Sequence, residues 1–143
     1  MAITQAMCTS FKKELLEAKH NFLLTDGSTF KIALFTSSAS LGASTTVYAS
    51  IGMDEITGTG YTAGGNTLTR VDPSSSGTTG LTDFADTSWE TATFTARGAL
   101  IYNAAGNRAV LVLDFGADKT VTASTFTIAF PATDGNNAII RIV

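Results

Sequence analysis

The sequence predicts a mainly β chain: a single β-sandwich domain, jelly-roll-like, with one N-terminal amphipathic α-helix. Three observations predict it. After Asn21 the apolar residues recur with period two rather than at helical spacing. The alternating runs are short and are separated by Gly, Asn and Asp turn signals. Thr, Ala, Gly and Ser supply 69 of the 143 residues, with Thr alone at 24 positions. β-branched Thr favours strands, and its hydroxyl tolerates solvent. The length suits one domain, with residues 1–20 as the helix and 28–143 as the sandwich.

The helix is expected over Met1 to Lys19. Thr4 is its expected N-cap, with Ile3 as the apolar lead-in. Met7, Phe11, Leu15 and Ala18 form the apolar stripe, widened by Cys8 and Leu16. Lys13 and Glu17 sit four apart as a solvent-side pair. Lys19 and His20 are expected in the last turn, complementing its open carbonyls. Phe30 to Phe35 reads as a strand buried on both faces at its end, introduced by the Asp26-Gly27 turn. Thr45 to Ala49 is a short strand candidate, and Thr57 to Gly65 is a glycine-dense turn. Thr67 to Val71 is another short strand. Asp72 to Gly80 (DPSSSGTTG) reads as a surface loop.

In the second half, Thr91 to Asn103 places Phe94, Ala96, Leu100 and Tyr102 on one face, with Thr93, Thr95, Arg97 and Ile101 on the other. Ala104 to Asn107 turns the chain. Arg108 to Phe115 returns as an almost unbroken apolar run, as a central strand does. Thr125 to Phe130 alternates, with Phe126, Ile128 and Phe130 inward. Ala138 to Val143 is the last strand.

Charge and rare residues narrow the function. Charged residues are 15% of the chain and the net charge is −3, against roughly 25% charged in an ordinary soluble domain. No basic stripe suggests nucleic acid. No apolar run reaches membrane-spanning length, and Met1 to Phe11 lacks the pattern of a secretory signal. One Cys allows no internal disulfide, and one His builds no His-based metal site. Neither metal nor cofactor is expected. Gly58-Thr59-Gly60-Tyr61-Thr62-Ala63 matches the dinucleotide pattern in letters, but no helix pattern follows it, so it reads as a turn. The carboxylate pairs Asp83/Asp86, Asp114/Asp118 and Asp54/Glu55 show no spacing that faces two acids across a cleft. With His20 alone and no G-x-S-x-G, there is no nucleophile–base pair, and no enzymatic activity is expected. Arg97 interrupts an apolar strand and is expected to pair with Asp114 on the next one, or to contact a neighbouring subunit. Trp89, Tyr61, Tyr48 and Tyr102 are the candidates for a sugar-stacking platform.

Several segments also carry a resemblance: MAITQAMCTSFKKELLEAKHNF, FKIALFTSSASLGAST, GTGYTAGG, TDFADTSWETATFTARGALIYN, AVLVLDFGADKT and NAIIRIV. Together they resemble a family of small virion structural proteins of tailed bacteriophages, over nearly the whole chain. The resemblance implies a particle component assembled in the bacterial cytoplasm and carries over no catalytic residue. The leading expectation is a capsid decoration (cement) protein bound to the major capsid protein or other virion proteins, with self-association. The alternatives are a tail component (minor tail, tip or fibre-attachment module) or a carbohydrate-binding module on the virion surface. The expected partner contacts are Ala2, Ile3, Thr4, Gln5, Tyr61 and Arg97.

Overall fold

The structure, a computed structural model, describes residues 2–143. It is mainly β, with two antiparallel sheets arranged as a sandwich and one short helix near the N-terminus. The strands are β1 (Ala6–Met7), β2 (Phe30–Phe35), β3 (Asn66–Thr67), β4 (Arg70–Ser76), β5 (Thr79–Phe84), β6 (Thr87–Asn103), β7 (Arg108–Ile128) and β8 (Ile140–Ile142), and the helix α1 is Thr9–Leu16. The main sheet has the order β1-β7-β6-β2-β3, and the smaller one β4-β5-β8.

Both faces of the main sheet are covered. The β2–β6 register sets Phe30 opposite Asn103 and Ile32 opposite Ile101, so these four share a face. Phe11, from α1, and Phe22 pack there edge to face at 6.0 Å. Phe22 stacks on Phe30 at 4.4 Å, and Phe84 from the small sheet reaches Phe30 at 5.7 Å. The opposite face carries Ala33, Leu100 and Tyr102. It is covered by the segment 36–65, where Tyr48 stacks on Tyr102 at 4.3 Å. Gly65 makes that cover possible. Its φ is +76°, and a Cβ there would stand 1.7 Å from the Ile32 carbonyl oxygen.

The helix is shorter than the apolar stripe predicts, and Thr4 does not cap it. Met1 lies outside the described residues. Ala6 and Met7 pair with Val112 and Leu111 as an edge strand. Thr4 N–H donates to the Leu41 carbonyl at 2.9 Å, and Cys8 N–H to the Val110 carbonyl at 2.9 Å. The amides of the expected first turns thus find partners in the body of the fold. Cys8 is the N-cap residue, in extended conformation without a side-chain cap bond. At the other end Ala18 takes φ +58°. Ala18 N–H bonds the Leu15 carbonyl and Lys19 N–H the Glu14 carbonyl, which closes the helix in a Schellman motif. His20 is therefore outside the helix. Its side chain is fully buried rather than complementing open carbonyls. The Lys13–Glu17 pair is present at 3.5 Å.

Two further expectations are corrected. Asp72 to Gly80 is not a loop: β4 and β5 form a hairpin that turns at Gly77, φ +59°, with a register shift between Val71 and Ser74 that holds Pro73. An exposed edge strand needs no apolar alternation, and Pro is tolerated at such a bulge. The stretches Arg108 to Phe115 and Thr125 to Phe130 are not wholly separate strands either, because β7 runs unbroken to Ile128 along β6. Thr45 to Ala49 contributes only a single bridge, from Val47 to Arg108.

Candidate interaction surface

The β6–β7 hairpin extends past the main sheet. β2 pairs with β6 only from Gly98 to Asn103, and from Thr87 to Arg97 the partner strand is β7 alone, apart from one bridge between Thr93 and Thr59. This outer half has one apolar and one polar side. Trp89, Ala92, Phe94 and Val121 are buried, and Trp89 and Phe94 meet Phe126 at 6.0 and 5.1 Å. Ser88, Thr91, Thr93 and Thr95 of β6 are exposed, as are Thr120, Thr122, Ser124, Thr125 and Thr127 of β7. Hydroxyls pair across the strands, Ser88 with Thr127 at 2.9 Å and Thr95 with Thr120 at 2.8 Å. Across both stretches, 88–95 and 120–127, Glu90 is the one ionic residue.

The predicted contact residues fall into three places. Ala2, Ile3 and Thr4 form an extended segment tied to Leu41 by main-chain bonds. Ile3 packs against Gly98, where a Cβ would meet the Ile3 side chain at 2.9 Å. Gln5 and Arg97 come together around Asp114: the Gln5 amide oxygen accepts the Asp114 N–H at 3.1 Å. Arg97 stands 3.8 Å from the Asp114 carboxylate and 3.7 Å from that of Asp118. This is the expected ion pair, extended to a second acid. All three side chains are partly exposed, so its contribution to stability is small. A shallow groove of about 440 Å³ beside them is lined by Gln5, Leu113, Phe115, Lys119 and Phe126.

Tyr61 stands apart from that group. Its hydroxyl donates to Glu55 at 2.5 Å and accepts the Leu34 N–H at 3.0 Å. Glu55 also accepts the Tyr48 hydroxyl at 2.7 Å and the Gly64 N–H at 2.8 Å. Burial, followed by the Glu55 carboxylate, pushes both Tyr48 and Tyr61 well above the ordinary tyrosine range. This network straps the segment 36–65 onto the sheet. Trp89, Tyr48 and Tyr102 are buried, so the four aromatics do not form an exposed sugar-stacking platform.

A second network, partly buried, joins α1 to the main sheet. Arg108 donates to Glu14 at 2.9 Å, His20 Nε2 lies 3.3 Å from the other Glu14 oxygen, and Asn103 lies 3.1 Å from His20 Nδ1. Burial holds His20 below the ordinary histidine value, an effect only partly offset by Glu14. Glu14 sits below the usual carboxylate range: burial opposes its ionisation, but the Arg108 and His20 hydrogen bonds outweigh that. Cys8, placed on the apolar stripe in the sequence, is buried, and burial pushes its thiol up to about 11. In β5, Asp83 is fully buried. One carboxylate oxygen accepts the Phe84 N–H at 2.8 Å, and the other has no partner. Burial raises its pKa.

Sequence reasoning did not find the Glu14–His20–Asn103–Arg108 network. Its members are as far as 94 positions apart, and no local pattern joins them. Among the described residues, no group of three or more His, Cys, Asp or Glu is placed to hold a metal ion. Set against known proteins, the chain matches no family model, no curated protein and no solved structure.

Proposed function

We propose that the protein is a structural component of a bacteriophage particle, a decoration protein that binds the assembled head and stabilises it. The observation that supports this reading is the outer half of the β6–β7 hairpin. It presents a two-stranded surface of hydroxyls with a single ionic residue. Covering a hydroxyl with a hydrogen-bonding partner costs far less than burying an unpaired charge. Such a face suits close contact with other protein at high copy number. The particle-protein resemblance of the sequence points the same way.

The mechanism is linkage. A protein that binds the assembled shell and not its dissociated subunits adds its binding free energy to shell stability. The major capsid protein is the proposed partner. Thr95 and Thr120 lie at the centre of the contact, with Arg97 and Gln5 at its inner end.

Heads stripped of the protein provide the test. Adding it back should raise the temperature and the chelator concentration at which packaged DNA is released. No gain in either would overturn the decoration role. Imaging intact particles separates head from tail: hundreds of copies spread over the shell support the proposal, whereas a single ring on the tail makes the protein a tail component.

A further inference from the structure

We propose that Glu14, His20 and Asn103 form a proton-operated clasp: adding one proton to the His20 ring weakens the docking of α1, together with β1, on the main sheet. The inference does not depend on the particle reading.

The His20 side chain has no exposed surface. It meets Phe11 edge to face at 4.9 Å and stacks over Phe30 at 6.1 Å. Both ring nitrogens are occupied. Asn103 fixes which of them carries the proton. Its amide oxygen accepts the Ala105 N–H at 3.0 Å, and its nitrogen reaches the Lys19 carbonyl at 3.3 Å. The same nitrogen therefore points a donor at His20 Nδ1, which must be an unprotonated acceptor. The ring proton sits on Nε2 and faces Glu14.

A second proton would have to enter at Nδ1, where it meets the Asn103 N–H head-on. Turning the Asn103 amide to offer its oxygen would strand the Ala105 N–H and the Lys19 carbonyl, and buried groups without partners are costly. The charged groups facing the ring are Glu14 from α1 and Arg108 from β7. Arg108 already engages Glu14 and opposes a second positive charge. Lys12, Lys13, Glu17 and Lys19 are exposed. The docked state thus excludes the cation that a free imidazole accepts readily.

The unit is also held by the buried Cys8 and Phe11 and by main-chain bonds from Cys8 to Val110 and from Thr9 to Ala43, so the proton shifts a docking equilibrium rather than cutting a sole tether. An eight-residue helix does not hold together without tertiary packing, and β1 contributes two paired residues. A solvent-exposed His20 titrates near the ordinary value of about 6.5. Below that pH the undocked form gains a proton that the docked form refuses. The undocked-to-docked ratio then rises up to about tenfold per pH unit until the docked ring itself titrates. Asp83 acts with the opposite sign. Its raised pKa makes the folded state bind a proton more tightly, so acid relieves the unpaired carboxylate. Global melting mixes the two effects, so the decisive readout is local.

The test is an NMR titration of the full chain from pH 8 to pH 5. It follows the His20 ring, the sole histidine, together with the backbone amides. Ring protonation and loosening of the Ala6–Leu16 amides should coincide. Hydrogen exchange at those amides, corrected for its intrinsic pH dependence, should accelerate up to about tenfold per pH unit while β2 and β6 stay protected. His20→Gln, whose side-chain oxygen can accept the Asn103 N–H, should abolish that pH dependence. A ring that titrates at or above the ordinary value with helix amides unmoved overturns the clasp. So does a Gln variant that loosens over the same range as the parent. The parent titration decides by itself if the Gln variant does not fold.

Discussion

From Gly98 to Asn103, β6 lies between β2 and β7 and every residue is buried, Gly98 beneath the Ile3 side chain. From Thr87 to Arg97 the same strand pairs with β7 alone and sends its hydroxyls to solvent. The inner half carries one register shift against β7, between Ile101 and Tyr102, and still holds a buried core. The outer half is interrupted by register shifts near Thr91 and Ala123, residues with φ of +47° and +45°. Bulges of this kind twist a strand edge and blunt it against indiscriminate pairing. One continuous hairpin thus serves two purposes. Stability resides where both faces are covered, and an uncharged, hydroxyl-lined surface resides where one face is open.

The largest effect expected from this contrast is at Ile101, which has no exposed surface. Ile101→Ala should cost about 2–5 kcal/mol, read as a lower urea midpoint with an unchanged slope. A cost as small as that of a surface change would break the contrast. Next comes Thr91, a β-branched residue held in the left-handed region. Thr91→Gly should stabilise by about 1 kcal/mol, because the relief of strain exceeds the added freedom of the unfolded chain. Loss of stability would mean that the Thr91 side chain holds the bulge. Ala18→Gly, at the helix end with φ +58°, should gain less than about 1 kcal/mol and should tighten the helix that the His20 clasp holds. The smallest effect on stability is expected for Thr95→Val combined with Thr120→Val: less than about 0.5 kcal/mol. The same pair should weaken attachment to stripped heads, and intact attachment would move the contact away from the hydroxyl face.

Much of the outer hairpin was legible in the residues themselves. Thr93, Phe94, Thr95 and Ala96 alternate in the sequence and alternate between solvent and core in the fold. Arg97 and Asp114 pair as the strand offset predicts. β2 is enclosed on both sides, as its apolar run implies. The misreadings share one cause. Ala2 to Met7 falls within the expected helix, yet its amides bond to Leu41 and to β7, more than thirty residues away in sequence. Ser74 to Ser76 has no strand pattern, yet β5 supplies partners for that edge. A backbone amide takes whichever acceptor the assembled neighbours offer, and local propensity is too weak to override it.

The sequence by itself determined the composition of the surfaces: period-two burial, hydroxyls where other domains place charges, one histidine and one cysteine. Side-chain chemistry and spacing are local properties, so these could be read directly. The tertiary structure alone decided where α1 begins, that β7 runs unbroken beside β6, and that Glu14, His20, Asn103 and Arg108 meet. Each of these depends on contacts between residues far apart in the chain, which exist only after the sheets have assembled.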